Sequence, residues 1–172
     1  MNSLPLVKNK SGFTLVEVLI YIFIFIVVSG ATLGLLFSMN ELFVQYKLKQ
    51  DLISSGTTAM ERILLEIREA DTITLAESTI ASSAVGVITL ENNSDTIKIQ
   101  KNGNQLEIYK NDVFDGLLNK TTVNVTGATF YHYQLNGTDL IRVSLNLQAS
   151  NGNQTEDWSI TSGAIIRGSY AN

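Results

Sequence analysis

The sequence predicts an α+β fold, in which one long N-terminal helix packs on an antiparallel β-meander domain. Two observations carry this prediction. An uncharged apolar run at residues 18–37 is followed by amphipathic sequence up to residue 70. Beyond them, apolar residues alternate with polar ones between Asn-Gly turns. A length of 172 residues suffices for one modest globular domain and one extended element.

The apolar run extends from Val18 to Phe37 and contains no charged residue. At a rise of 1.5 Å per residue it spans about 30 Å, the thickness of the hydrocarbon core of a bilayer. It is longer than the apolar core of a secretory signal peptide, and no small-residue cleavage site follows it. Lys8 and Lys10 precede the run. The positive-inside rule therefore predicts a single-pass protein of the cytoplasmic membrane, with its N-terminus inside and the remainder exported.

Helical periodicity continues over residues 38–70. Two apolar stripes recur at helical spacing, and such stripes are typical of packing against a core. The first comprises Met39, Leu42, Phe43, Tyr46 and Ile53, and the second comprises Met60, Ile63, Leu64 and Ile67. We expect both stripes to be buried. Glycine is a weak helix former, so Ser54-Ser55-Gly56 makes residues 54–57 a place where this helix could bend or break.

From Ile73 the apolar period changes to two, which assigns residues 71–172 to a β-rich exported domain. Short strands are predicted at 85–90, 96–100, 105–109, 121–126, 129–135, 140–147, 157–160 and 164–167. Asn102-Gly103-Asn104 and Asn136-Gly137 predict two hairpins, because these residues favour the turns that join antiparallel strands. Asn151-Gly152 marks a further turn.

Composition excludes several classes of function. The chain has no cysteine, which rules out disulfides, thiolate metal sites and cysteine nucleophiles. It has 12 Lys and Arg against 16 Asp and Glu, a formal net charge of −4. This balance argues against a general nucleic-acid-binding surface, although the fold could still assemble a local basic patch.

No enzyme, cofactor or metal site is predicted. His132 is the single histidine, and we interpret it as a surface or hydrogen-bonded strand residue rather than a catalytic one. Several oxygen-bearing residues could bind calcium, but they lack the EF-hand order, and chance clustering in polar loops is the preferred interpretation. They are Asp112, Asp115, Asn151, Asn153, Glu156 and Asp157. No P-loop, dinucleotide fingerprint or nucleophile elbow is present.

The sequence SGFTLVE, residues 11–17, stands directly before the apolar run. It resembles the class III leader of type IV pilins and of type II secretion pseudopilins. The resemblance implies that a prepilin peptidase removes residues 1–12 by cutting between Gly12 and Phe13. The same enzyme would methylate the new terminal amine of Phe13. Residues 13–37 would be retained as the transmembrane half of the helix.

Glu17 places a carboxylate near the start of the apolar segment, where an unpaired charge is costly. Residues i and i+4 share a helix face, so Glu17 lies one turn from Phe13, whose amine stays cationic after methylation. Glu17 could pair with the amine of its own chain or, as the resemblance implies, with that of a neighbouring subunit. Such a pair sets the register between helices more than it adds net stability.

Gly30 and Gly34 form a G-x-x-x-G spacing within the apolar run. Small residues four apart let membrane helices approach closely. They could also permit local extension when the helix leaves lipid for a filament core. The alternative is that both are merely tolerated in a membrane helix, and the sequence favours neither.

The resemblance implies a structural subunit of a type IV pilus or a type II secretion pseudopilus. Residues 61–70 and 160–167 look like the corresponding parts of J-type minor pseudopilins and W-type minor pilins. Major pilins often have a C-terminal loop closed by a disulfide, which a chain without cysteine cannot form. This difference and the two likenesses favour a minor subunit. The implied partners are the prepilin peptidase and methylase, other subunits, the inner-membrane assembly platform, and lipid before assembly.

Two other functions are open. A DNA-uptake pilin would bind nucleic acid, which the net acidity disfavours. A membrane-anchored binding domain without a filament role would keep its N-terminus uncut.

Overall fold

The computed structural model describes residues 12, 14–74, 86–152 and 154–170. Within them the chain forms helix α1 (Leu15–Glu69), eight β-strands and a closing 3₁₀ helix (Arg167–Tyr170). The strands are β1 (Thr72–Ile73), β2 (Val87–Asn92), β3 (Asp95–Asn102), β4 (Gln105–Lys110), β5 (Val113–Leu117), β6 (Val123–Leu135), β7 (Thr138–Asn151) and β8 (Gln154–Ile165). A long apolar helix followed by antiparallel sheets confirms the α+β class. The chain divides into two compact units, Met1–Phe43 and Val44–Asn172.

The described part of the first unit is helical from Leu15 onwards, and its large apolar side chains all face solvent. Phe25 and Phe37, for example, are each 72% exposed. By length and composition α1 could cross a membrane: one 18-residue window has a mean hydropathy of 2.5, and none of it is buried. An apolar helix that buries nothing within its own chain needs an apolar environment from outside the chain.

In the second unit, one face of α1 is buried against the sheets. The second predicted stripe, which runs from Met60 to Ile67, lies in the core as expected. The prediction that the first stripe is buried is wrong. Its members are exposed: Met39 66%, Leu42 64%, Phe43 67%, Tyr46 69% and Ile53 44%. The face that packs instead runs through Leu48, Leu52, Ser55 and Ala59.

The predicted bend or break of the helix at residues 54–57 is also wrong, because α1 continues through these residues without interruption. Gly56 is buried, and a Cβ atom added there would lie 2.5 Å from Leu147 Cδ1 and collide with the Trp158 ring. Glycine is present because β7 and β8 approach the helix backbone, and not because the helix must bend.

The strands form two antiparallel sheets in which each strand pairs with the next along the chain. The first sheet has the order β1-β2-β3-β4-β5 and the second has β6-β7-β8. Both predicted hairpins are present. Asn102 pairs with Gln105 around Gly103 (φ 56°), and Leu135 pairs with Thr138 around Asn136 (φ 51°). The meander is confirmed, whereas its division into two sheets was not predicted.

Several strand boundaries differ from the prediction. The segments predicted at 121–126 and 129–135 form one strand, β6, with a bulge between Val125 and Gly127 that interrupts the alternation. Those predicted at 157–160 and 164–167 form the single strand β8, because glycine at position 163 gives no apolar signal. The short strand β5 was not predicted. The strand predicted at 85–90 corresponds to β2, and position 85 lies outside the described residues.

The core lies between the buried face of α1 and the inner faces of the sheets. Strand β7 supplies every second side chain to it: Ile141, Val143, Leu145, Leu147 and Ala149. Asn119, between β5 and β6, is buried and joins the two sheets. Its side-chain oxygen accepts the N–H of Leu106 at 2.7 Å, and its amide nitrogen donates to the carbonyl of Val123 at 2.5 Å. Because the hydrogen bonds of this buried amide are made to both sheets, Asn119 fixes the position of the connection between them.

Asp71 ties the end of α1 to two other elements. Its carboxylate accepts hydrogen bonds from the Arg167 guanidinium at 2.9 Å and from the N–H of Asn93 at 2.8 Å. These bonds hold the pKa of Asp71 below its ordinary value. Gly168 lies so close that an added Cβ would collide with the Asp71 backbone. The closing 3₁₀ helix and the β2–β3 turn are thereby fastened to one point.

Candidate functional site

Helix α1 begins with a capped first turn. The N–H of Glu17 donates to Thr14 Oγ1 at 3.3 Å, and the first helical backbone bond runs from the N–H of Val18 to the carbonyl of Thr14 at 3.2 Å. Thr14 is thus the N-cap residue and Glu17 the third helical residue, the spacing of a capping box. Acidic residues are also favoured in this first turn by the helix dipole. In this cap Glu17 contributes its backbone N–H, which any residue at the position would supply.

Tyr21 supports the Glu17 carboxylate from the next turn of the helix. Its hydroxyl donates to Glu17 Oε1 at 3.3 Å. Sequence reasoning missed both Thr14 and Tyr21 as partners of Glu17. The T-x-x-E pattern of residues 14–17 and the four-residue spacing from Glu17 to Tyr21 were the signals that could have found them.

The predicted cleavage bond joins Gly12 to Phe13. Gly12 is exposed, and an added Cβ would meet nothing within 4 Å, so the glycine is accessible. Phe13 lies outside the described residues. Cleavage, methylation and the pairing of Glu17 with the Phe13 amine therefore stay predictions.

Gly30 and Gly34 lie in an unbroken part of α1, and an added Cβ at either position would meet nothing within 4 Å. Between them, Thr32 Oγ1 donates to the carbonyl of Val28 at 2.8 Å, which satisfies a polar group within the apolar helix. Within a single copy neither glycine is required by a close contact. Their role in packing between helices or in local extension stays a prediction.

The comparisons with known proteins concern this same N-terminal part of the chain. A family model, the prokaryotic N-terminal methylation motif, matches residues 7–33. These residues carry the signature of pilins and pseudopilins. The signature indicates a type IV pilin-like or pseudopilin-like prepilin that is processed by a peptidase and assembles with other such subunits. An exposed apolar helix that follows the signature is consistent with membrane anchoring. No curated protein and no solved structure matches the chain.

His132, considered above for other chemistry, has a structural partner. His132 Nε2 lies 2.8 Å from Asp139 Oδ1 across the β6–β7 hairpin, which confirms a hydrogen-bonded strand histidine. Among the residues that the structure describes, no three His, Asp or Glu side chains gather as metal ligands. Asn153, one of the oxygen-bearing residues considered for calcium, lies outside this part of the chain.

Proposed function

We propose that this protein is a structural subunit of a type IV pilus or a type II secretion pseudopilus. The observation that carries the proposal is the overlap of two features. The methylation motif at residues 7–33 covers most of an apolar helical stretch, residues 15–43, in which the large apolar side chains are all exposed. A subunit that moves from lipid into a stack of like helices requires both features.

The proposed mechanism is an exchange of environments for the apolar segment. The segment holds the precursor in the inner membrane, with the N-terminus in the cytoplasm and the β domain exported. The peptidase cuts after Gly12 and methylates Phe13. The assembly platform then transfers the segment into the filament, where contacts between helices replace contacts with lipid.

Glu17 guides this transfer by pairing with the methylated Phe13 amine of a neighbouring subunit. An unpaired Glu17 charge is costly to bury in the apolar filament core. Pairing with the amine of the neighbouring subunit offsets that cost, so a subunit enters the filament only when the pair can form. Tyr21 donates a hydrogen bond to one oxygen of this carboxylate, Oε1. The proposal includes the finer assignment to a minor subunit. It is supported by the likeness of residues 61–70 and 160–167 to minor subunits and by the absence of cysteine.

The first test is the N-terminus of the protein extracted from membranes of its own host. Mass spectrometry is expected to find N-methyl-Phe13 as the first residue. A Gly12→Asp variant, with a bulky charged residue at the cleavage bond, is expected to retain Met1 or the residue after it. An uncut N-terminus in the unaltered protein would refute the proposed function and leave a membrane-anchored binding domain.

The second test isolates the charge of Glu17. Glu17→Gln keeps the backbone N–H that bonds to Thr14 and a side-chain oxygen that can accept from Tyr21, but it removes the charge. We expect normal cleavage and membrane insertion, with incorporation into sheared filaments reduced at least tenfold. Tyr21→Phe, which keeps the charge, is the matched control and is expected to retain most incorporation. Equal incorporation of Glu17→Gln and the unaltered protein would refute a role for the Glu17 charge in assembly.

A further inference from the structure

Helix α1 begins immediately after Thr14, close to the bond that the peptidase is expected to cut. Thr14 Oγ1 accepts the N–H of Glu17 at 3.3 Å, and the Thr14 carbonyl accepts the N–H of Val18 at 3.2 Å. An N-cap residue has non-helical backbone angles, so it ends the helix on its N-terminal side. The first helical residue, Leu15, therefore lies on the C-terminal side of the Gly12–Phe13 bond.

The position of this cap leaves the Gly12 carbonyl outside the hydrogen-bonding pattern of the helix. In an α-helix each carbonyl accepts the N–H of the residue four positions later, which for Gly12 is Val16. Among the described residues, no backbone N–H bonds to the Gly12 carbonyl. Gly12 is also exposed, and an added Cβ would meet nothing within 4 Å. The carbonyl that peptide hydrolysis must attack is therefore free of the helix.

The sequence contains a second possible cap on the other side of the cleavage bond. Ser11 lies three positions before Thr14, and serine caps helices at least as well as threonine does. A helix capped at Ser11 would include Gly12, and the Gly12 carbonyl would then accept the N–H of Val16. The choice between the two caps thus decides whether the cleavage bond lies inside or outside the helix.

We propose that Thr14 is a positioning residue for cleavage of the precursor. Its hydroxyl fixes the start of α1 at Leu15 and so keeps the Gly12–Phe13 bond open to the peptidase. Hydrolysis consumes one water and leaves a carboxylate on Gly12 and an amine on Phe13. The enzyme must reach the carbonyl carbon and stabilise the charge that develops on its oxygen, which a hydrogen bond within a helix would obstruct. The inference rests on the proposed function, to which it adds a conformational requirement.

The peptidase could instead recognise the shape of the Thr14 side chain, and two substitutions separate these explanations. Valine has nearly the shape of threonine but lacks the hydroxyl, so Thr14→Val removes the cap. Asparagine differs in shape and caps at least as well as threonine, so Thr14→Asn keeps the cap. Capping predicts that the peptidase accepts asparagine and rejects valine, whereas recognition of shape predicts the reverse.

Pulse-chase labelling of the full-length precursor in membranes of its own host measures the rate at which residues 1–12 are removed. Thr14→Ser and Thr14→Asn are expected to be cut within about twofold of the rate of the unaltered protein, because both keep a cap. Thr14→Val is expected to be cut about three- to tenfold more slowly, in proportion to the loss of an N-cap. Equal rates for Thr14→Val and the unaltered protein, or slow cleavage of Thr14→Asn, would overturn the proposal.

Removal of the competing cap provides the second arm. Ser11→Val replaces a good cap by a poor one, so the longer helix loses its advantage. When Ser11→Val is present, Thr14→Val is expected to slow cleavage by less than about twofold relative to Ser11→Val alone. The comparison with the single Ser11→Val variant removes any direct effect of position 11 on the peptidase. An equal effect of Thr14→Val with and without Ser11→Val would contradict the competition between the two caps.

The start of the helix can also be measured without the peptidase. Nuclear magnetic resonance of the full-length precursor in detergent micelles gives the ¹³Cα chemical shift of Gly12, which reports whether its backbone is helical. We expect a non-helical shift in the unaltered protein and in Thr14→Asn. Thr14→Val is expected to move the shift toward the helical value, and adding Ser11→Val is expected to reverse the change. If Thr14→Val slowed cleavage without moving the shift, the enzyme would read the side chain directly and the proposal would be overturned.

The outcomes distinguish this inference from the proposed function. Cleavage of the unaltered protein at Gly12–Phe13, together with equally fast cleavage of Thr14→Val, refutes the positioning role of Thr14 and leaves the proposed function standing. An uncut N-terminus in the unaltered protein refutes the proposed function, and the positioning role is refuted with it. The first result depends on the variant and the second on the unaltered chain, so the two failures are separate observations.

Discussion

Leucine side chains are exposed in one stretch of helix α1 and buried in another. In the first unit Leu33 and Leu35 are 55% and 67% exposed, whereas in the second unit Leu48 and Leu52 are 8% and 1% exposed. The residue type therefore does not determine burial. The second unit provides its own apolar surroundings from β-strands, whereas no large apolar side chain of residues 15–43 in the first unit is buried.

The glycines of α1 repeat this contrast. Gly34 has open space around it, while Gly56 is pressed against Leu147 and Trp158. The first glycine is available to a partner outside the chain, and the second is already used within it. Substitutions at matched positions in the two units are the direct way to test the comparison.

The largest effect is expected from truncating matched leucines. Leu52→Ala should lower the free energy of unfolding of the domain by about 2–5 kcal/mol, since it removes a buried side chain and leaves a cavity. Leu35→Ala, at an exposed position, should change it by less than about 0.5 kcal/mol. Urea denaturation of the detergent-solubilised protein, followed by Trp158 fluorescence, measures both. Similar losses would mean that the two stretches of helix do not differ as described.

A smaller effect is expected from adding one methyl group at matched glycines. Gly56→Ala should destabilise the domain by about 1–3 kcal/mol, because its Cβ has no space between α1 and the sheet. Gly34→Ala should leave the domain unchanged and favour the helix by up to about 1 kcal/mol. Denaturation reports the first effect, and circular dichroism of the detergent-solubilised protein reports the second. A stabilised Gly56→Ala variant would refute the close approach of β7 and β8.

The smallest effect concerns the buried carboxylate of the second unit. Burial raises the pKa of Glu66 above its ordinary value of 4.5, and the Arg62 guanidinium, 2.7 Å away, offsets part of this rise. Folding therefore favours the protonated form. That contribution is fully present below the unfolded-state pKa and is lost as the pH rises through the folded-state pKa. Glu66→Gln should stabilise the domain at pH 7 by less than about 1 kcal/mol.

Below pH 4 the difference between Glu66→Gln and the unaltered protein should vanish, because Glu66 is then protonated in both states. Thermal melts at pH 4 and pH 7 provide the measurement. Asp71→Asn is the control of opposite sign. Since the pKa of Asp71 is lowered in the folded state, its contribution is present at pH 7 and is lost in acid. A Glu66→Gln variant that is less stable at pH 7 would show that the pair with Arg62 outweighs burial.

The parts of the fold that the sequence predicted are those governed by local chemistry. The apolar run, the stripe from Met60 to Ile67 and the turns at Gly103 and Asn136 follow from residue type and spacing. The methylation motif was found in the same way, from contiguous residues. Each of these signals lies within a few positions of the residue that it explains.

The parts that the sequence did not predict depend on contacts between distant segments. The stripe from Met39 to Ile53 has helical spacing, yet its side chains are exposed, so the spacing alone misplaced it. In the sequence Gly56 predicts a weak point of the helix. In the structure side chains of β7 and β8 occupy the space beside it, which explains the glycine. Arg68 and Arg167 line one groove although they are 99 positions apart in the chain, which no local pattern reveals.

Asp71 has a consequence for how the domain comes apart. One exposed carboxylate secures both the β2–β3 turn and the closing 3₁₀ helix. Fraying at the C-terminal end would therefore have to release a loop that is more than seventy residues away along the chain. The amide hydrogens of Asn93 and Gly168, in the two segments that Asp71 holds, are expected to exchange with solvent at a common rate. Asp71→Asn should accelerate both together.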